Sequence, residues 1–268
     1  MKDLNLLIII AENVLKEFRD RREESGPFLF RDRALSRGVD PDRLAEDIAL
    51  EILDSESPKW NIISEESDFK DKGSDITLIM DPVDGTFNAK NNIPFYSVSL
   101  ALADRDLSRI RCGLVENLYT GDRYWSEKGG GSYLNGVRLK TKEFDPERSV
   151  FSTYMGAESV NENRILNSYF GRSRYMGSTS LELCNLAAGG SDIFCMMGRI
   201  PRIFDVAASK LILEEAGGGM KSYENGGSLA EYKLAEANMR RRGVIAYGDS
   251  AGLRTVVRLL NDQDEGVR

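Results

Sequence analysis

The stretch Thr77-Leu78-Ile79-Met80-Asp81-Pro82-Val83-Asp84-Gly85-Thr86 decides how the rest of the chain is interpreted. Its apolar first part predicts a short strand over 77–80, and two aspartates three positions apart follow that strand. Carboxylates at a strand end can share Mg²⁺, which prefers oxygen ligands. Pro82 fixes its own φ, and Gly85 lets the backbone come close to a ligand. The pattern predicts a metal site followed by an anion site.

An ordinary surface turn is the alternative for Asp81–Gly85, because Asp, Pro and Gly are the usual turn residues. Taken alone, these five residues favour the turn. The segment 61–67 changes the balance. There Ile62 and Ile63 predict a strand whose exit holds the adjacent acids Glu65 and Glu66. Two neighbouring strand ends would then present acids to one point.

A third acidic position lies in 203–218, which predicts a mostly buried helix that ends at Gly217. Asp205 stands near the start of this helix. An aspartate at that position is most often a simple N-cap, so Asp205 alone indicates little. Asp205 points to a metal site only when it is considered together with the two preceding acidic segments.

Together the three segments resemble the inositol monophosphatase family, part of a wider group of lithium-sensitive, Mg²⁺-dependent phosphatases that includes fructose-1,6-bisphosphatases. Three further segments carry the resemblance: Ser97–Leu102, Gly129–Gly136 and Gly177–Cys184. The pattern Arg-x-x-Gly-Ser-x-x-Leu-Glu-Leu-Cys at 174–184, and an arginine three residues before Asp205, look like the archaeal-type enzymes. Those enzymes hydrolyse both inositol 1-phosphate and fructose 1,6-bisphosphate. Phe204 replaces the tryptophan of the animal-type pattern, which argues against animal-like inositol specificity.

The resemblance implies an α/β chain with a layered α-β-α-β-α sugar-phosphatase fold. An N-terminal α+β half, 1–148, would carry most metal ligands, and a C-terminal α/β half, 149–268, would carry Asp205 and the substrate groups. The two halves would form one compact unit. By resemblance, two or three Mg²⁺ ions would be held by five residues: Glu65, Asp81, Asp84, Asp205 and, through its carbonyl, Val83. Converging carboxylates repel one another without cations, which is a physical reason to expect metal.

The resemblance also assigns catalytic and substrate-binding residues. Thr86 and Glu66 would orient or deprotonate the attacking water, and Asp84 is grouped with them as catalytic. The expected substrate-binding residues are Asp84, Gly85, Thr86, Arg174, Gly177, Ser178 and Arg202. Asp42, at the start of the second predicted helix, is a weaker candidate for a third ion. It stays outside the predicted set because the usual threonine-containing approach to that acid is absent.

The substrate prediction depends on a helix start and on four arginines. Gly177-Ser178 opens a predicted helix that runs through Ala188, and a helix N-terminus can receive a phosphate or sugar oxygen. The arginines that flank the two later motifs are Arg172, Arg174, Arg199 and Arg202. A guanidinium can hold a second phosphate in bidentate fashion. The group therefore favours a sugar bisphosphate or a phosphorylated polyol.

Composition narrows the chemistry. The 268 residues include 43 acidic and 36 basic side chains, so the net charge of −7 argues against a nucleic-acid partner. The chain has 0 histidines, which excludes Ser–His and Cys–His triads and favours a metal-activated water. Its 3 scattered cysteines indicate reduced thiols and predict a cytoplasmic protein. The apolar run Leu4–Ala11 is too short to span a membrane. A homodimer is expected by analogy with the family.

The chain pattern predicts helices over 3–22, from Asp40-Pro41 onward, and near 158–169 and 179–188. Strands are predicted near 60–63, 76–81, 96–103, 150–154, 192–196 and 243–247. A hairpin joins 113–117 to 122–126, and Asn135-Gly136 predicts a type I′ turn. The first half would be helices packed on an antiparallel sheet, and 25–39 would be charged and irregular.

Two other functions compete with sugar-phosphate hydrolysis. One is hydrolysis of 3′-phosphoadenosine 5′-phosphate, although no distinct adenine-binding signature is visible. The other is a non-catalytic regulator that binds a phosphometabolite. A regulator predicts the loss of at least one metal acid, whereas Glu65, Asp81, Asp84 and Asp205 are all present.

Overall fold

The computed structural model describes residues 2–25, 40–56, 58–67, 69–154, 159–198, 201–224, 228–236 and 243–262. Its helices are α1 Lys2–Ser25, α2 Pro41–Glu56, α3 Thr86–Lys90, α4 Val160–Phe170, α5 Thr179–Ala187, α6 Ile203–Glu215 and α7 Ser250–Asn261. The predicted irregular segment lies outside the described residues, except for Ser25, which ends α1.

The strands form two sheets. The first holds, in spatial and chain order, β1 Asn61–Ser64, β2 Ile76–Asp84, β3 Ser97–Asp104, β4 Ile110–Asn117, β5 Arg123–Glu127, β6 Gly131–Leu134 and β7 Val137–Arg138. The second holds β8 Phe151–Tyr154, β9 Ser173–Arg174, β10 Ile193–Met197, β11 Gly219–Tyr223, β12 Leu229–Glu231 and β13 Gly243–Tyr247. Its spatial order is β12-β11-β13-β10-β8-β9.

Five layers result, and they confirm the predicted α-β-α-β-α architecture. Helices α1 and α2 cover one face of the first sheet, α5 and α6 lie between the sheets, and α4 and α7 cover the second sheet. Alternation along β2 explains how one strand serves two layers. Leu78 and Met80 join the core under α1 and α2, while Ile79 joins the core around α5 and α6.

The middle layer packs closely on the first sheet. A Cβ built at Gly113 on β4 would lie 2.9 Å from the Ala208 Cα of α6, which is closer than real side chains approach. Glycine at this strand position therefore allows α6 to approach the sheet. That approach matters for the site, because α6 carries Asp205 in its first turn.

The prediction of a wholly antiparallel first sheet is wrong at one edge. Strand β1 pairs with β2 in parallel, with Ile63 opposite Ile79 and Ser64 opposite Met80. The alternation of apolar residues identifies strands but not their relative direction, which explains the error. The parallel pairing brings Glu65 and Asp81 to the same edge of the sheet, as the sequence predicts.

The surface-turn alternative for Asp81–Gly85 is also wrong. Strand β2 continues through Asp84, with a register shift against β3 between Asp81 and Asp84. The chain leaves the strand at Gly85, whose φ of 95° is easily adopted only by glycine. The type I′ turn at Asn135-Gly136 is confirmed by the positive φ of both residues, 50° and 83°. Among the described helices, none is long and apolar enough to cross a bilayer.

Candidate active site

Three carboxylates meet where β1, β2 and α6 converge. Glu65 follows β1, Asp81 lies near the end of β2, and Asp205 lies in the first turn of α6. One oxygen from each lies within 4.8 Å of the others. The structure therefore brings together three of the five predicted metal-ligating residues through side-chain oxygens.

Asp81 is the innermost member of this cluster. Its side chain has 0% exposure, and neither carboxylate oxygen has a hydrogen-bond partner among the described residues. Burial raises the pKa of Asp81 well above its usual range, and the neighbouring carboxylates raise it further. A buried carboxylate without a partner is costly, so this geometry suits a bound cation.

Asp84 is hydrogen-bonded to the start of α5. Its Oδ2 accepts hydrogen bonds from the Ser178 hydroxyl at 2.7 Å, the Ser180 amide at 2.6 Å and the Ser180 hydroxyl at 2.5 Å. Its Oδ1 accepts one from the Thr179 amide at 3.3 Å. Burial raises the pKa of Asp84 to about 6, and nearby Asp205 raises it too, whereas these hydrogen bonds oppose the shift.

The N-terminus of α5 is therefore filled by a side chain of the protein. Ser178 caps α5 by accepting from the Leu181 amide, and the next amide groups donate to Asp84. The prediction that this helix start receives a substrate phosphate is not supported by these contacts, because Asp84 takes the donors. Asp84 is instead fixed by residues of the other half of the chain.

Thr86 pairs with an acid that the predicted set omits. Its hydroxyl lies 2.7 Å from Asp42 Oδ1 and 3.0 Å from the Val83 carbonyl oxygen. Asp42 is only 5% exposed, at the start of α2, and Lys90 lies 3.8 Å from its other oxygen. Burial raises the pKa of Asp42 to about 6, and the Thr86 hydrogen bond opposes the shift.

Three further residues singled out in the sequence are Glu66, Arg174 and Arg199. Glu66 is exposed, and the Thr86 hydroxyl is directed at Asp42 rather than at Glu66. Arg174 is exposed on β9, where its guanidinium donates to the Ser173 carbonyl at 2.8 Å. Arg199 lies outside the described residues.

Arg202 contacts the cluster directly. It is the N-cap residue of α6, so Asp205 is the third helical residue and not the cap. The guanidinium donates to Glu65 Oε1, and its Nη2 lies 3.2 Å from Asp205 Oδ1. Burial lowers the pKa of Arg202, but the two carboxylates raise it by more. The half-buried side chain therefore stays charged.

Two glycine turns close against each other beside the cluster. Gly85 has φ 95°, and a Cβ there would lie 3.2 Å from the Gly177 carbonyl oxygen. Asn88 donates hydrogen bonds of 2.7 Å to the carbonyls of both Phe95 and Met176. Gly85 and Gly177 line one open cavity of about 230 Å³ together with two of the three clustered carboxylates, Glu65 and Asp205. Its lining residues are Glu65, Val83, Asp84, Gly85, Thr86, Phe87, Tyr154, Gly177, Thr179, Met196, Arg202 and Asp205.

The family comparison agrees with this geometry. The model of the inositol monophosphatase family matches residues 18–257 of the chain. The chain belongs to the inositol monophosphatase family. The match confirms the resemblance inferred from sequence motifs, and members of this family depend on metal.

Relatives within the inositol monophosphatase family include archaeal enzymes. The chain is 39% identical over 196 residues to a fructose-1,6-bisphosphatase/inositol-1-monophosphatase of Archaeoglobus fulgidus, covering 72% of this chain and 73% of that protein. It is 36% identical over 201 residues to the protein of the same name from Methanothermobacter thermautotrophicus, covering 70% and 71%. These names confirm the predicted enzyme class, a phosphoric monoester hydrolase.

A solved structure within the inositol monophosphatase family confirms the fold. The crystal structure of the MJ0109 gene product, an inositol monophosphatase–fructose 1,6 bisphosphatase, superposes with a TM-score of 0.76 at 30% identity. The match covers 93% of this chain and 98% of that chain.

Sequence reasoning missed a buried acid that binds the Gly177 turn of this family member. Glu182 of α5 is 0% exposed, and its Oε1 accepts from the Met176 amide at 2.6 Å and the Gly177 amide at 3.2 Å. Its Oε2 accepts from the Ser152 hydroxyl at 3.0 Å. Burial raises the pKa of Glu182 to about 7, although these hydrogen bonds oppose the shift. The signal was a glutamate inside the otherwise apolar Leu-Glu-Leu-Cys segment.

Proposed function

We propose that the protein is a Mg²⁺-dependent phosphatase that hydrolyses fructose 1,6-bisphosphate and inositol 1-phosphate. The observation that carries the proposal is the buried Asp81 carboxylate, which has no hydrogen-bond partner among the described residues and meets Glu65 and Asp205. The hydroxyl–carboxylate pair Thr86–Asp42 lies at the same cavity, through Thr86. The names of the archaeal relatives support the choice of substrates.

The clustered side chains fit Mg²⁺ because they offer carboxylate oxygens, and because the acids at the cavity outnumber its one positively charged lining residue among those described, Arg202. Glu65, Asp81 and Asp205 would hold the metal, and the Val83 carbonyl would join them. Asp84 would contribute Oδ1, since Oδ2 already accepts three hydrogen bonds. We propose two or three ions per site. When bound, Mg²⁺ lowers the pKa of water and stabilises negative charge on the leaving oxygen.

The chain's own groups would handle the proton and the phosphate. The Thr86 hydroxyl orients the attacking water, and Asp42 accepts the proton that Thr86 passes on. Asp42 would be the neighbouring acid that receives this proton in place of Glu66, and the 2.7 Å contact between the Thr86 hydroxyl and Asp42 supports that choice. The Gly85 and Thr86 amides, at the turn that leaves β2, would bind phosphate oxygens.

Substrate selection would come from groups at the mouth of the cavity. Arg202 carries a positive charge there and can bind a second phosphate. Arg174, Gly177 and Ser178 are the other predicted substrate-binding residues. Ser178 would act indirectly, because its hydroxyl donates to Asp84. We also propose that the protein is a homodimer, that it works in the cytoplasm, and that it has no nucleic-acid partner.

Phosphate release with Mg²⁺ tests this function. Fructose 1,6-bisphosphate, inositol 1-phosphate and 3′-phosphoadenosine 5′-phosphate are compared, each with an EDTA control. The proposal predicts EDTA-sensitive turnover of the first two. Preference for the nucleotide would keep the metal mechanism but overturn the substrate assignment. Turnover of none would favour the alternative of a non-catalytic phosphometabolite-binding regulator.

A further inference from the structure

Arg202 holds together two of the three clustered carboxylates. Its guanidinium donates to Glu65 Oε1 and contacts Asp205 through Nη2 at 3.2 Å and Nε at 3.4 Å. Its backbone amide donates to Asp205 Oδ2 at 2.9 Å. The side chain also lies over the Phe204 ring, 4.7 Å from the centroid. These contacts tie the end of β1 to the start of α6 through one guanidinium.

The charges around the cavity are unequal. Among the described residues that line it, Arg202 supplies the one positive charge, while Glu65, Asp84 and Asp205 supply negative charge. Asp81 lies behind them, fully buried and outside the hydrogen-bond contacts of Arg202. Arg202 therefore neutralises the outer part of the cluster and leaves its innermost carboxylate uncompensated.

A divalent cation and this guanidinium would need the same oxygens. Mg²⁺ binds carboxylate oxygens at about 2.0–2.1 Å in near-octahedral geometry. A guanidinium that keeps its contacts with Glu65 and Asp205 would stand next to that cation and repel it. Arg202 has a long side chain that is 47% exposed, so it has open space to turn away.

We propose that Arg202 is a built-in counter-ion of the carboxylate cluster, and that it competes with Mg²⁺ for Glu65 and Asp205. In the metal-free protein it holds the ends of β1 and α6 together. In the metal-bound protein it releases both carboxylates, and its guanidinium becomes available to an anion at the mouth of the cavity. By linkage, an anion that draws Arg202 away tightens Mg²⁺ binding by the same factor that Mg²⁺ tightens anion binding. This inference rests on the proposed function.

Magnesium titration without substrate tests the competition. Isothermal titration calorimetry of EDTA-stripped protein compares wild type with Arg202→Gln, which removes the charge. We expect the variant to bind Mg²⁺ about tenfold more tightly, which corresponds to about 1.4 kcal/mol. General damage to the fold would weaken metal binding, so a gain in affinity separates competition from a structural role.

Arg105→Gln is the matched control. Arg105 is 48% exposed and its guanidinium lies 2.6 Å from Asp71 Oδ2, but both lie outside the residues that line the cavity. Its substitution removes the same charge from a similarly exposed ion pair, and we expect wild-type Mg²⁺ affinity.

Thermal denaturation supplies a second measurement. Arg202→Gln should lower the Tm in EDTA, where the counter-ion is needed, and leave it close to wild type in saturating Mg²⁺. Equal Mg²⁺ affinity of wild type and variant, or weaker binding by the variant, would overturn the competition while leaving the metal site intact. Failure of both proteins to bind Mg²⁺ would overturn the proposed function and this inference together.

Discussion

The hydroxyl of Thr86 donates a 2.7 Å hydrogen bond to Asp42, a residue 44 positions earlier in the chain. The bond joins the turn after β2 to the first turn of α2. Because Asp42 is nearly fully buried and its pKa is raised to about 6, it can accept a proton near neutral pH. The pair is the proton-accepting part of the proposed mechanism.

Asp42→Asn should lower kcat by a factor on the order of 10², the low end of typical general-base effects. Asparagine keeps the shape and can still accept the Thr86 hydrogen bond through its oxygen, so KM should change little. Asp40→Asn is the control, because Asp40 is half exposed and pairs with the same lysine, Lys90, at 3.3 Å. Steady-state kinetics give kcat and KM for both variants. Equal kcat for the two would contradict the role of Asp42.

Asp81→Asn should stabilise the metal-free protein while it removes the response to Mg²⁺. The substitution removes the cost of ionising a fully buried carboxyl group, whose pKa is raised by burial and which has no hydrogen-bond partner among the described residues. We expect the Tm in EDTA to rise by a few degrees, and the rise on adding Mg²⁺ to disappear.

The matched control for that variant is Asp192→Asn. Asp192 is also buried, at 4% exposure, but its Oδ2 lies 2.9 Å from Lys142 Nζ and accepts a hydrogen bond from the Val150 amide at 2.7 Å. Removal of this partnered charge should lower the Tm in EDTA. A fall in Tm for Asp81→Asn as large as that of Asp192→Asn would show that Asp81 is already compensated without metal.

Glu182 makes stability depend on pH. The folded protein holds the Glu182 proton up to a pKa of about 7, whereas the ordinary value is 4.5. The folded state therefore binds more protons between these values, so the free energy of unfolding falls as pH rises through this interval. Below pH 4.5 this contribution is fully present.

Glu182→Gln should remove that dependence. Its amide oxygen can keep the hydrogen bonds from the Met176 and Gly177 amides, and its nitrogen can donate to the Ser152 hydroxyl. Between pH 4.5 and about 7, wild type should lose as much as about 3 kcal/mol relative to the variant. Urea denaturation across this range measures the difference, with the exposed Glu231→Gln as control. If the free energies of unfolding of wild type and Glu182→Gln depended on pH in the same way, the raised pKa of Glu182 would be contradicted.

Arg202→Gln should also change substrate preference. If the released guanidinium binds the second phosphate, KM for fructose 1,6-bisphosphate should rise about tenfold, whereas KM for inositol 1-phosphate should change far less. Inositol 1-phosphate carries a single phosphate and gives Arg202 no second anion to bind. Equal increases for both substrates would remove Arg202 from recognition of the second phosphate.

Local sequence patterns predicted which acids stand at the ends of strands and at the start of a helix. Apolar runs followed by acids identified the ends of β1 and β2, and an acid in the first turn identified Asp205. The five-layer fold followed from the family resemblance carried by these motifs. The pattern-based prediction omitted α3, β9, β11, β12 and α7, and it took the whole first sheet to be antiparallel, whereas β1 is parallel to β2.

Contacts between distant segments explain what local patterns could not predict about the site. Asp84 is held by Ser178 and Ser180, which lie 94 and 96 positions away, so no local motif indicates that its carboxylate fills the start of α5. Thr86 finds Asp42 only because α2 packs beside β2. Arg202 was predicted as a substrate ligand from its type and position, but its ion pair with Glu65 depends on the close approach of α6 to the first sheet.

The most direct test of the account is phosphate release from fructose 1,6-bisphosphate over a Mg²⁺ titration, with wild type and Asp81→Asn measured side by side. The account predicts turnover in wild type that rises to saturation with Mg²⁺ and is abolished by EDTA, and no turnover above background in folded Asp81→Asn at any Mg²⁺ concentration. Turnover by Asp81→Asn with the Mg²⁺ dependence of wild type would contradict the claim that this carboxylate cluster is the catalytic metal site.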